Sequence, residues 1–289
     1  MSFDCKTFAI IGGDKRQLYC ARQIADDGYE VILGGFDKVL SMRGVSVLSE
    51  IEAIEKSDAV ILPLPCVDKD GYIPSAFSDK KISIKELEPY LCTKRIFCGM
   101  KDKLLSFTKL LNPLMINDYY EREDFVLANA YVTAEGAISI AMEKFEGTLN
   151  GAKILVCGFG RIGKALVTLL KGFNPDLTVS ARKPQDLTAI RIAGAKAVHT
   201  RELLTLDKFD IIFSTVPSMI FECDLMAKIA TDALLIDLAS AKGSVDYEAA
   251  KRLGIDAIHA LSLPGKSAPK TAGKIIKDTV YTILEEEHR

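Results

Sequence analysis

Histidine is scarce in this chain, and that scarcity removes whole classes of chemistry. Three histidines occur in 289 residues, and no Ser–His–Asp arrangement is apparent around any of them. His288 lies in a tail and His199 precedes a surface Arg-Glu pair. His259 sits within or at the end of a strand, where a packed ring competes with an acid–base role. No nucleotide-hydrolysing P-loop is present. The seven cysteines are scattered without a C-x-x-C pair, which argues against a disulfide framework or a zinc site, and no bound metal is expected. Several, Cys157 among them, fall in apparent core strands and read as reduced, packed thiols. Neither sign of charge prevails: the net charge is -2, so nothing points to nucleic acid or an anionic membrane as partner. No apolar run approaches the roughly 20 residues of a membrane span. The opening Met-Ser-Phe-Asp-Cys-Lys leads straight into a strand without a signal-peptide pattern, so a cytoplasmic location is expected.

What is present is an ordinary globular composition, 48% hydrophobic and 26% charged, in a chain long enough for two domains. Strand-like apolar runs alternate with helical patterns, which predicts parallel sheets covered on both faces. In the first half, strands are expected at Thr7–Ile11, Glu30–Leu33, Ala59–Leu64, Arg95–Gly99 and Leu114–Ile116. A Gly12-Gly13-Asp14 turn and a helix to about Asp27 follow the first of these. The polar stretch from Asp68 to Ser83 reads as a surface loop. The second half opens with a helix over Thr133–Glu146 and continues through strands at 153–157, 177–181, 209–214, 234–238 and 256–260. A last helix spans Thr271–Glu287. The expected class is α/β, two doubly wound parallel-sheet domains linked by two crossing helices. Residues 1–128 would form a substrate domain, 129–270 a nucleotide domain, and 271–289 a helix returning to the first domain over a hinged cleft.

Residues 153–163, Lys-Ile-Leu-Val-Cys-Gly-Phe-Gly-Arg-Ile-Gly, are the most specific stretch. A buried strand runs into Gly158, Gly160 and Gly163 in G-x-G-x-x-G spacing, with Phe159, Arg161 and Ile162 between them and a helical pattern after them. The first glycine permits a tight turn, the second lets backbone approach a pyrophosphate, and the third lets helix pack on strand. The anion then rests on unpaired N–H groups at the positive end of the helix. A plain turn is the competing reading. The strand before, the helix after and the second strand at Leu177–Ala181 complete a βαβ unit and favour a Rossmann dinucleotide-binding domain.

The end of that second strand bears on which nucleotide. An NAD enzyme usually carries an acidic residue about 20 residues on, to accept bonds from the ribose 2′-OH. Here the chain reads Ser180-Ala181-Arg182-Lys183. Two cations and a hydroxyl suit the 2′-phosphate of NADP; a solvated basic turn is the alternative. Thr215-Val216-Pro217 and Ser240 close two later strands and suit a nicotinamide and its amide, against ordinary capping and turn chemistry. Leu263–Gly273, with two prolines, two glycines, Lys266 and Lys270, is expected as a fixed loop that meets an anionic ligand.

A family likeness rests on several of these segments together. They are Ile11-Gly12-Gly13-Asp14-Lys15-Arg16-Gln17, Ile61-Leu62-Pro63, Asn129 with Thr133-Ala134-Glu135-Gly136, and the glycine motif. Thr215-Val216-Pro217-Ser218-Met219-Ile220, Asp237-Leu238-Ala239-Ser240 and Pro264-Gly265 through Ala268-Pro269-Lys270-Thr271-Ala272-Gly273 complete the set. Over nearly its whole length the chain resembles the A subunit of dipicolinate synthase. The resemblance implies oxidation of a dihydrodipicolinate, drawn from the lysine pathway, with NADP during sporulation, beside a flavoprotein-like B subunit. A homo-oligomer is a further possibility. The domain plan is similar to that of 2-hydroxyacid dehydrogenases. The histidine those enzymes place after the last strand is replaced here by Pro264-Gly265-Lys266, which counts against carbonyl–alcohol chemistry.

A cyclic dicarboxylate needs cationic clamps, a hydride acceptor over one carbon and a base for a neighbouring proton. Arg16 and Lys15, with Asp14 and Thr133 nearby in the motifs, are the candidate substrate residues, and Lys270 or Lys242 would face them. Arg16 is favoured because a planar guanidinium pairs bidentately with a carboxylate; a solvated helix-start residue is its alternative. Glu135 is the candidate base, or else a dipole partner at the start of the linking helix. Two other functions fit the same residues: an NADP dehydrogenase for another amino or keto acid, and a nucleotide-binding subunit whose partner brings the catalytic groups.

Overall fold

Phe8, Ala9, Ile10 and Ile11 are all fully enclosed, as a strand covered on both faces requires. They form most of β1 (Thr7–Ile11), near the middle of the first sheet of a computed structural model that describes residues 5–40, 42–240 and 243–287. The neighbours of β1 are β2 (Glu30–Gly34) and β4 (Ala59–Ile61), and β3 (Val45–Leu48) pairs with the outer side of β2. A short antiparallel pair, β5 (Tyr72–Ile73) and β6 (Ile82–Ser83), stands apart, and β7 (Arg95–Cys98) and β8 (Ile116–Asp118) complete the sheet. Its order is β3-β2-β1-β4-β7-β8, parallel throughout. The second sheet repeats the plan with β9 (Lys153–Cys157), β10 (Asp176–Ala181), β11 (Lys196–His199), β12 (Ile211–Ser214), β13 (Leu234–Asp237) and β14 (Asp256–His259). Its order, β11-β10-β9-β12-β13-β14, is again all parallel. In both sheets the strand order reverses beside the first strand, the doubly wound arrangement that opens a ligand crevice at the carboxyl ends of the strands.

Helices cover both faces of each sheet because successive strand residues point to opposite sides. In the first sheet, Phe8 and Ile10 pack with Cys20, Ala21 and Ile24 of α1 (Lys15–Asp26). On the other side Ala9 and Ile11 meet Ala53 and Ile54 of α2 (Glu50–Glu55) and Leu87 of α3 (Ile84–Leu91), with Leu104 of α4 (Lys101–Leu105). The chain leaves this sheet along α5 (Glu123–Lys144). In the second sheet, Ile154 and Val156 share a core with Leu166 of α6 (Arg161–Leu170) and Ile190 of α7 (Pro184–Ile192). Leu155 and Cys157 share the opposite one with Met226 of α8 (Cys223–Ile229) and Ala249 of α9 (Tyr247–Leu253). Then α10 (Leu263–Ser267) ends the second unit and α11 (Pro269–Glu287) packs on the first, its Ile276, Val280 and Leu284 joining Phe8 in the core. Two compact units result, residues 1–129 with 268–289, and residues 130–267.

Several elements depart from the sequence expectation for identifiable reasons. β3 and β11 are edge strands whose residues are mostly half-buried or exposed, so they carry no apolar run to announce them. Within the stretch read as a loop, Gly13 N–H donates to Pro74 O (2.6 Å), Ala76 N–H donates to Gly13 O (2.9 Å) and the Ser75 hydroxyl donates to Gly35 O (2.6 Å). That stretch therefore covers the carboxyl ends of β1 and β2. The strand expected at 114–116 begins only at Ile116, because Asn112 and Pro113 start a 3-10 turn over Pro113–Met115. The linking helix starts at Glu123, well before Thr133. Phe125 lies in a core of the first unit and Ala134, Ala137, Ile138 and Ala141 in one of the second, which accounts for its apolar character. By length and composition it is the one helix among the described residues that could cross a membrane, and 50% of its most apolar window is buried inside the structure. The loop expected at 263–273 is instead helical, α10 and the start of α11, with Pro269 in the first-turn position that proline tolerates.

All seven cysteines are free; Cys223 is exposed, Cys92 half-buried and the other five buried. Phe213, fully enclosed in β12, anchors one core of the second unit. Phe213→Ala should lower the unfolding free energy by about 3–5 kcal/mol, read as a lower urea midpoint.

Candidate functional site

The two sheets present the same strand–turn–helix start, yet the two turns differ in what satisfies the first helical N–H groups. In the first unit Asp14 caps α1: its Oδ1 accepts from Arg16 N–H at 2.9 Å, while Gln17 Oε1 accepts from Asp14 N–H at 3.0 Å. This reciprocal capping box leaves an anion little to bind. In the second unit the N-cap is Gly160, which brings no side chain to the start of α6. A Cβ built on Gly160 meets nothing within 4 Å, so a ligand can approach the backbone there. The neighbouring glycines have the opposite need. Gly158 holds φ +101, and a Cβ on Gly163 would lie 2.2 Å from Gly158 O, so the helix can seat on the strand only without one. An uncapped helix start beside open space fits the pyrophosphate of a dinucleotide.

Around this turn the remaining sequence candidates are placed as follows. Arg161 is exposed, Phe159 and Ile162 are half-buried, and the Lys164 ammonium lies 5.6 Å over the Phe159 ring. Arg182 and Lys183 are exposed at the end of β10. Ser180 does not join them. It is fully enclosed and its hydroxyl donates to Cys157 Sγ at 3.3 Å, because its position on the pleat points into the sheet rather than beyond its end. Burial pushes the Cys157 thiol up to about 11. Thr215 follows β12 and donates its hydroxyl to Cys157 O at 3.1 Å, with Val216 half-buried and Pro217 exposed beyond it. Ser240 is exposed past the end of β13. Lys242 lies outside the described residues.

The substrate candidates divide between the units. Arg16 is largely enclosed; its Nε donates to Asp14 at 3.0 Å and its Nη2 to Leu64 O at 2.9 Å. Asp14 is thus a cap and an ion-pair partner. Lys15 and Lys270 are exposed, Lys270 in the first turn of α11. Thr133 is buried and Glu135 exposed, both in the interior of α5. The dipole role for Glu135 is therefore corrected: the helix start carries Glu123 and Asp124 instead. Among the described residues no group of three or more His, Cys, Asp or Glu side chains could hold a metal ion.

One cluster escaped the sequence reading. Asp237, at the end of β13, is fully enclosed and accepts hydrogen bonds from Ala239 N–H (3.0 Å), Ser244 N–H (2.7 Å), the Ser244 hydroxyl (3.0 Å) and the Tyr247 hydroxyl (3.1 Å). Burial first, then the Asp237 charge and hydrogen bond, push the Tyr247 phenol up from its usual range. His259 closes the cluster, its Nε2 3.2 Å from Ala239 O and its ring 5.5 Å from that of Tyr247. An acid ending the apolar run Leu234-Leu235-Ile236 was the available signal.

Comparison with known proteins decides the family. Residues 7–110 match the model of the N-terminal domain of the dipicolinate synthase A subunit, and residues 123–253 match that of the D-isomer specific 2-hydroxyacid dehydrogenase NAD binding domain. The dipicolinate synthase A subunit of Bacillus subtilis (strain 168) is 31% identical over 285 residues, which is 96% of this chain and 95% of that protein. The chain belongs to the family of dipicolinate synthase A subunits. The crystal structure of the family member from Bacillus halodurans is similar with a TM-score of 0.84 and 29% identity, over 96% of this chain and 97% of that one. The crystal structure of the Bacillus subtilis member gives 0.83 and 29%, over 97% and 96%. The second unit is a nicotinamide-dinucleotide domain of the dehydrogenase type, which makes the chain an oxidoreductase, and membership of an A-subunit family implies a partner subunit.

Gly160→Asp tests the uncapped turn. The new side chain has room, caps α6 and repels phosphate, so dinucleotide affinity should fall roughly 100-fold by calorimetry while the thermal midpoint holds or rises.

Proposed function

We propose that this chain oxidises a dihydrodipicolinate to pyridine-2,6-dicarboxylate with NADP, in the cytoplasm of a spore-forming cell and beside a flavoprotein-like B subunit. The observation that carries the cofactor reading is the uncapped start of α6 with two exposed cations, Arg182 and Lys183, at the end of the next strand. Phe159, Gly160, Arg161 and Ile162 would hold the pyrophosphate. Arg182 and Lys183 would hold the 2′-phosphate, and Thr215, Val216, Pro217 and Ser240 would flank the nicotinamide. Bound there, the nicotinamide supplies the hydride acceptor.

The chain's own residues do the rest in this reading. Arg16 pairs with one substrate carboxylate, its guanidinium held in orientation by Asp14 and Leu64 O. Lys15 or Lys270 meets the second carboxylate, and Thr133 lies along the same family motif. With a nicotinamide there to accept hydride from one ring carbon, Glu135 would take the proton from the neighbouring atom, and loss of the hydride and that proton would leave the ring aromatic. One observation favours a second reading, a subunit whose partner completes the clamp: the Arg16 charge is already bridged to Asp14.

The purified chain, supplied with freshly made lysine-pathway intermediate and NADP, should produce NADPH and dipicolinate together, followed by their separate absorbance bands. Activity only after the B subunit is added supports the second reading. Silence in both, with NADP bound, would move the substrate elsewhere among amino and keto acids. Arg182→Ala should raise KM for NADP about 10- to 100-fold and leave NAD little changed. Arg16→Ala should lower kcat/KM for the dicarboxylate by about 10- to 100-fold with NADP affinity intact.

A further inference from the structure

The carboxylate of Asp237 has no exposed surface, and among the described residues it is met by four hydrogen-bond donors, none of them a cation. Those donors come from both sides of the connection that follows β13. Ala239 belongs to the outgoing side; Ser244 and Tyr247 belong to the returning side, at the start of α9. The packing is close: Gly243 holds φ +65, and a Cβ on it would lie 2.9 Å from Asp237 Oδ2. The network also reaches sideways in the sheet. The Ser244 and Ser214 hydroxyls are hydrogen-bonded at 2.6 Å, and Ser214, itself fully enclosed, ends β12 just before Thr215. Leu238 N–H donates to Ser214 O at 2.8 Å, and His259 at the end of β14 meets Ala239 O. One buried carboxylate therefore registers the carboxyl ends of three adjacent strands, β12, β13 and β14.

These strands make one half of a doubly wound sheet in which each half takes one mononucleotide. The basic residues that would meet the adenosine ribose lie on the other half, at the end of β10. The nicotinamide half of a dinucleotide belongs over β12–β14, where Thr215 and Ser240 stand. We propose that Asp237 is a positioning residue for the nicotinamide half: its carboxylate fixes the backbone carrying Ser240 and holds it in register with the Thr215–Pro217 turn. The inference rests on the dinucleotide reading of this unit and adds the residue that shapes its nicotinamide side. Asp is required rather than a polar isostere. Each carboxylate oxygen already receives a backbone N–H, Ala239 on Oδ1 and Ser244 on Oδ2. An Asn at this position must turn its NH2 against one of them whichever way it is set.

The test compares ligands with and without the nicotinamide. Wild type and D237N are titrated calorimetrically with NADP and 2′-phospho-ADP-ribose, and with NAD and ADP-ribose. D237N should weaken NADP binding about tenfold or more while changing 2′-phospho-ADP-ribose binding less than about twofold. Equal weakening of both, or no change in either, overturns the inference and leaves the cofactor assignment standing. Preference of the wild type for NAD overturns only the choice of NADP, and the NAD and ADP-ribose pair then decides the role of Asp237 in the same way. Wild type that binds none of the four overturns the cofactor reading and this inference together. Ser244→Ala and Tyr247→Phe, each removing one donor, guard against a D237N that does not fold. Each should show the same selective loss at about threefold, and its absence in both overturns the proposal.

Discussion

The site depends on a helix start left without a cap. Backbone N–H groups in the first turn of a helix must find partners, and a chain can supply them itself or leave them for a ligand. At the helix that follows the first strand of each sheet this protein does one and then the other. Asp14 and Gln17 close the first turn of α1, while Gly160 leaves α6 open. The same contrast governs what lies beyond the strands. Segment 74–76 lies against the turn after β1, whereas space above Gly160 stays clear. Two sheets with one strand order therefore differ in function through a few residues at the carboxyl end of the first strand of each.

That difference separates scaffold from site. Parallel sheets buried on both faces demand uninterrupted apolar strands, and both units meet that demand with Ile, Leu, Val and Phe. Polar chemistry is then pushed to the strand ends, where it takes two forms. Arg182 and Lys183 stay solvated and available to an anion. Asp237, Ser214 and Ser244 turn inward and satisfy one another, so they shape a surface they do not themselves present. Arg16 stands between the two forms, a guanidinium with one side committed to the fold.

Much of the fold was legible in the sequence because period and glycine spacing reflect backbone constraints that act locally. The buried strands β1, β9, β12 and β13 and the turn at Gly158–Gly163 are of this kind. The edge strands β3 and β11 were not, since an edge needs no apolar run. The early start of α5 was hidden because its first turns pack on the first unit and its later ones on the second, and no single stripe runs through it. Ser180 shows the limit for sites: its neighbours Arg182 and Lys183 point outward past the strand end, and two positions back the side chain is sealed against Cys157. Asp237 shows it more sharply. Its four donors include partners up to ten residues away, and proximity of that kind is made by the fold.

The distribution of thiols gives the two units independent clocks. Burial raises Cys5 and Cys20 of the first unit to about 12 and Cys157 of the second to about 11, so in the native state their reactive thiolates are both rare and shielded. Alkylation at those positions waits for the surrounding unit to open, while Cys223 reacts at once as the exposed reference. Mass spectrometry after a timed pulse of an alkylating reagent thus separates the opening of one unit from that of the other within a single chain. Neither an added label nor an engineered cysteine is required.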